Sequence, residues 1–156
     1  MSGSSPVEQN KEQLLQDYLK AFYSHEKTIT TEVNILTIKC KGTPNTDNIK
    51  IDYINVATNG QVSFEIKIYI NPTVGGTPSF SDVPRGSISQ FDTAGTTIAG
   101  GTQLGWYTLA QVNDRHIDLR EYNIILTPGD TFVVSGIAAS SSKLMTSIGW
   151  TERITS

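Results

Sequence analysis

Asn59-Gly60-Gln61-Val62-Ser63-Phe64-Glu65-Ile66-Lys67-Ile68-Tyr69-Ile70 decides the fold class. From Val62 onward, the apolar residues Val62, Phe64, Ile66, Ile68 and Ile70 alternate with Ser63, Glu65, Lys67 and Tyr69. That is the period of a strand with one face on a core and the other toward solvent or a partner. Asn59-Gly60 sits between this run and a second strand-like run at 49–56. Both residues tolerate positive φ, so the dipeptide is a strong hairpin signal. The expectation is a hairpin of 49–56 with 62–70.

Strand grammar extends outward on both sides. Upstream, 28–39 is dense in Thr, Val and Ile, and Gly42-Thr43-Pro44-Asn45 marks a turn. Downstream, 71–105 is rich in Gly, Pro, Ser and Thr and reads as one long loop, broken by short strands at 87–91 and 96–98. Strand-like runs return at 106–112 and 117–126. The tight turn Thr127-Pro128-Gly129-Asp130 precedes a strand at 131–138, and small residues at 139–142 precede a last strand at 144–154. In that strand Leu144, Ile148, Trp150 and Ile154 share one face. About eight short strands with no helix between them predict an all-β, antiparallel β-sandwich of jelly-roll type and exclude a βαβ layout.

The N-terminal segment reads differently. Ser5 caps, Pro6 suits a first helical position, and Glu8 completes a capping box. Leu14, Leu15, Tyr18, Leu19 and Phe22 then recur at helical spacing, which predicts one short α-helix over 6–23. The expected organisation is a tail and amphipathic helix over 1–27, then a β-sandwich over 28–156 carrying the loop 71–105. Such a helix is marginal alone. Its stripe either packs on its own sandwich or docks on a neighbouring subunit through Leu15, Tyr18, Leu19 and Phe22.

Composition narrows the function classes. The chain has 156 residues, the size of one domain. Its net charge is −3, and its 12 Lys and Arg are scattered, which argues against the basic stripe that nucleic acid needs. No apolar run approaches a membrane span. No signal-peptide grammar opens the chain, so the expectation is synthesis in a cytoplasm. The single cysteine, Cys40, excludes an internal disulfide and reads as strand-end packing.

Chemistry-bearing motifs are few. His25 and His116 are far apart and lack a second histidine at metal-ligand spacing. Asn113-Asp114-Arg115-His116 reads as a solvated turn. There is neither a Gly-x-Ser-x-Gly elbow nor a phosphate-cradling loop. A glycosidase would need Asp92, Asp114, Asp118 or Glu121 brought together in space. The expectation is no catalysis and no cofactor. Trp106 and Tyr107, at the exit of the long loop, are candidates to stack on a sugar ring or anchor an interface, and also fit a core. Arg85, in Val83-Pro84-Arg85-Gly86, is a candidate contact to a partner or glycan, or a solvated loop charge.

The C-terminal third carries a further pattern: Asp118-Leu119-Arg120-Glu121-Tyr122, then Leu126-Thr127-Pro128-Gly129-Asp130-Thr131, then Ser147-Ile148-Gly149-Trp150-Thr151-Glu152. It resembles the end of small jelly-roll virion proteins of tailed bacteriophages, including capsid decoration (cement) proteins, head fibres and tail-associated subunits. In these a Pro-Gly-Asp/Glu turn precedes a strand ending Trp-x-Glu. The resemblance covers roughly 40 residues. It implies a non-catalytic homotrimer on a virion, made in the host cytoplasm, with the major capsid protein or other virion proteins as partners. Two alternatives stand beside capsid decoration. One is a carbohydrate- or receptor-binding module, and the other is a tail, collar or head-fibre subunit.

Overall fold

The computed structural model describes residues 15–27, 31–42, 47–84, 86–140 and 142–153. The chain is all-β. Its strands are β1 (Leu15–Lys27), β2 (Val33–Cys40), β3 (Asn48–Thr58), β4 (Phe64–Ile70), β5 (Thr73–Gly76), β6 (Ser81–Asp82) and β7 (Ser89–Asp92). They continue with β8 (Gly95–Ala99), β9 (Thr102–Leu109), β10 (Asn113–Asp118), β11 (Ile124–Leu126), β12 (Thr131–Ala138) and β13 (Ser142–Arg153). One 3-10 turn, Arg120–Tyr122, separates β10 from β11.

Two antiparallel sheets pack as a sandwich. The first runs β1-β13-β3-β10, with β11 continuing the β10 edge alongside β3. The second runs β5-β8-β2-β12-β4-β9, with β7 also on β2 and β6 beside β7. Alternation builds the core between them. Phe64, Ile66 and Ile68 of β4, Phe132 and Val134 of β12, and Leu36 and Ile38 of β2 face Ile49, Ile51 and Ile54 of β3 and Leu144, Ile148 and Trp150 of β13. Each such side chain contributes about 1.5–3 kcal/mol on leaving water.

The strands expected at 49–56, 62–70, 131–138 and 144–154 are present as β3, β4, β12 and β13 over their described residues. The run expected at 117–126 is broken by the Arg120–Tyr122 turn into β10 and β11, and pairing does not follow the sequence reading. β3 and β4 lie in different sheets, so Asn59-Gly60 closes no hairpin. Neither residue has positive φ. A Cβ at position 60 would fall 1.8 Å from Ser142 Oγ, so a larger residue there would force the Ser142 hydroxyl to turn away where the connection crosses the β12–β13 corner. Thr127-Pro128-Gly129-Asp130 is the expected tight turn, with Gly129 at φ 98° and both Thr127 donors on Asp130 Oδ2. It also hands the chain from one sheet to the other, because β11 pairs with β3 and β12 with β2 and β4.

The N-terminal helix is corrected over its described part. Leu15, Tyr18, Leu19 and Phe22 lie on β1, which pairs antiparallel with β13. Residues 6–14 fall outside the described residues. The register explains the helical spacing. Leu15 and Tyr18 sit opposite Glu152 and Trp150, and Leu19 and Phe22 opposite Gly149 and Ser147. Each three-residue step therefore spans one bulge that keeps pace with two residues of β13. Two further expectations change. The loop 71–105 is largely ordered as β5 to β8 and the start of β9, and Asn113 to His116 belong to the exposed edge strand β10 rather than a turn.

Glu152 joins the segment that carries β5 to β8, the insertion, to the body of the sandwich. Its carboxylate is 1% exposed and accepts from Trp150 Nε1 at 2.9 Å, Ile88 N at 3.0 Å, Ser89 Oγ at 2.7 Å and the Ser87 hydroxyl. The last strand is thus tied to the segment entering β7. Both residues of the Trp-x-Glu pattern point inward, the tryptophan filling the core and the glutamate satisfying its indole N–H.

Candidate binding surface

The outer face of the second sheet carries an accessible aromatic side chain, Trp106. Because Phe64, Ile66 and Ile68 face the core, Glu65 and Lys67 face outward from β4. Tyr69, on the same side of the strand, is buried, and its hydroxyl donates to Glu32 Oε2. On β9, Trp106 pairs with Lys67, Thr108 with Glu65 and Gln103 with Tyr69. A bulge at Leu104 lets Gln103 and Trp106, three residues apart, occupy the same face. Trp106 is 58% exposed. Its Nε1 donates to Glu65 Oε1 at 2.8 Å, and Lys67 Nζ lies 4.4 Å from its ring centre. The cation–π contact is worth about 0.5–1 kcal/mol at such a site. Together the two contacts fix the indole against the sheet.

Tyr107 is on the other side of the same strand. It is half-buried, packs on the core, and lies over Gly105, where a Cβ would meet its ring at 2.7 Å. The Arg115 guanidinium sits 5.3 Å over that ring and donates to Thr108 O at 3.0 Å. Burial first, and then the neighbouring Tyr122, push the Tyr107 phenol above its usual pKa. Tyr107, Arg115 and Tyr122 thereby close the flank between edge strands β9 and β10. Trp106 and Tyr107 do not form one platform. Tyr122 is 59% exposed and Ile125, on β11, 44% exposed.

Other candidates are dispersed. Arg85 lies outside the described residues. Asp92 is buried in the second sheet's insertion, accepting from the backbone N–H of Ser79, Ala94 and Gly95. Asp114 and Asp118 stand on β10 of the first sheet, and the Arg120 side chain and backbone N–H hold the Asp118 carboxyl well below the usual range. Glu121 is in the 3-10 turn. Among the described residues, no group of three or more His, Cys, Asp or Glu is placed to hold a metal. Cys40 is buried, and burial raises its thiol pKa, which suits packing and not nucleophilic attack.

One cavity of about 320 Å³ lies against the first sheet, lined in part by Asn55, Ala57, His116, Met145 and Ser147. His116 Nδ1 is 2.6 Å from Asn55 Oδ1, whose amide Nδ2 donates to Ser147 Oγ at 3.3 Å, and the imidazole sits 5.1 Å from the Tyr53 ring. Sequence reading missed Glu65, Lys67 and Gln103 as the companions of Trp106. The alternation in β4 already placed Glu65 and Lys67 outward, but the β4–β9 register was needed to bring them to the indole.

No protein-family model matches this chain, and a search of curated proteins finds no match. Among solved structures, the chain is similar to a Yersinia pseudotuberculosis-derived mitogen at 12% identity, over 84% of this chain and 85% of that one, with a TM-score of 0.46. It is also similar to a Bacillus endospore appendage of a disulfide-linked pilus family, at 13% identity over 88% of each chain, TM-score 0.34. A third is infectious bursal disease virus, Gt strain, at 12% identity over 88% of this chain and 31% of that one, TM-score 0.30.

Proposed function

We propose that this chain is a non-catalytic structural subunit of a tailed-bacteriophage virion, a jelly roll that assembles as a homotrimer and decorates or stabilises the capsid. The observation that carries the reading is strand order. Setting aside the insertion β5 to β8 and the short β11, eight strands remain, with β1-β13-β3-β10 in one sheet and β2-β12-β4-β9 in the other. First-eighth-third-sixth against second-seventh-fourth-fifth is the order of a jelly roll, an architecture used by viral capsid proteins and by lectins. The Pro-Gly-Asp turn that carries the phage resemblance leads into β12 and the Trp-x-Glu lies on β13, and both strands are flanked on both sides in their sheets.

Assembly needs a surface. Large exposed hydrophobics among the described residues are Leu104, Trp106, Val112, Tyr122 and Ile125, all within β9 to β11 and their connections. Apolar side chains concentrated along one edge mark an interaction surface. Tyr122 and Ile125, beside the Tyr107–Arg115 flank, are the proposed subunit contact. A bound shell subunit then adds buried area across capsomer junctions; the same architecture serves a tail, collar or head fibre.

The test is Tyr122→Arg. It places a charge in the contact without touching the core, and a trimer is expected to become a monomer by sedimentation velocity, with unchanged circular dichroism. A variant that remains trimeric removes this flank from the interface.

A further inference from the structure

We infer that the outer face of the second sheet at Trp106, Glu65, Lys67 and Gln103 is a saccharide platform, taking one pyranose ring of a polysaccharide or glycoconjugate. The inference goes beyond the structural role and does not depend on the oligomer number. The apolar face of a pyranose stacks on an exposed indole, while its hydroxyls need donors and acceptors at the ring's edge. Trp106 supplies the floor. Glu65 contributes a carboxylate whose Oε1 already holds the indole N–H, Lys67 an ammonium against one face of the ring, which leaves the opposite face for the sugar, and Gln103 an exposed amide on the same side of the sheet.

What separates this patch from a stray surface tryptophan is pre-organisation. An indole held by a hydrogen bond and a cation loses little rotamer freedom when a ligand arrives, which lowers the cost of binding. The bulge at Leu104 is part of that construction. It departs from strict alternation and keeps Gln103 and Trp106 on one side, as bulges beside binding sites do. The rim is polar and carries both charge signs, which suits a hydroxyl-rich ligand better than the apolar face of a protein partner.

The experiment is native affinity electrophoresis of the full chain in gels containing dextran, xylan, galactomannan or bacterial lipopolysaccharide, compared with a blank gel. Slowed migration in at least one is expected. Trp106→Ala should weaken that interaction about tenfold, Trp106→Phe less, and Glu65→Gln about threefold. Circular dichroism and solution mass, which the substitutions should leave unchanged, separate loss of binding from loss of fold. Lipopolysaccharide against the plain glucans, xylan and mannan distinguishes a bacterial surface from a general glycan source. Unslowed migration in every gel overturns the inference. So does equal slowing of Trp106→Ala, or a change in its solution mass, which would make Trp106 a subunit contact instead.

Discussion

Replacing Glu152 with alanine is expected to destabilise the fold by about 4 kcal/mol, read as a shift in the urea midpoint at constant slope. The substitution strands four buried donors at once: the Trp150 indole, the Ile88 backbone N–H and the Ser87 and Ser89 hydroxyls. The two hydroxyls can turn to other acceptors, but the indole and the backbone N–H cannot. Glu152→Gln keeps one oxygen and presents an NH₂ that rotated serine hydroxyls accept, so its cost should be about half. For a chain of this size, 4 kcal/mol corresponds to about 10 °C in melting temperature. A loss below about 1 kcal/mol for the alanine variant would mean that the carboxylate is not what ties β7 to β13.

Deleting residues 1–27 is expected to abolish cooperative unfolding at 25 °C and to send the remainder into aggregates. Among the described residues, β1 is the strand that covers one edge of β13, and without it β13 presents a row of unpaired backbone groups. A docking helix would behave in the opposite way, because a sandwich complete without it would lose only its partner. Circular dichroism and a denaturation curve distinguish the two. A deletion variant that melts cooperatively near the parent would restore the helical reading.

These two expectations mark what was legible in the sequence. Alternation at 62–70 placed a strand, and with it the outward Glu65 and Lys67, because one period reports one buried face. Leu144, Ile148 and Trp150 were likewise correctly placed on one face. β1 was misread because two bulges stretch its step to three residues, and three is also a helical spacing. Asn59-Gly60 was misread because turn chemistry reports that the chain reverses, not which strand lies beside it. Here β3 and β4 part into different sheets after that corner. Long-range register was hidden for the same reason. Nothing local in Gly105-Trp106-Tyr107 says that the indole meets Lys67 and Glu65 while the phenol turns to Arg115 and Tyr122. Nor did the Trp-x-Glu pattern reveal its acceptor role, since the Ser87 to Ser89 donors lie more than sixty residues upstream.

The most direct measurement is the mass of the unmodified full chain by light scattering at micromolar concentration. A homotrimer is expected, three times the 17.0 kDa of one chain. A monomer that persists across the concentration range would contradict self-assembly as the basis of its function.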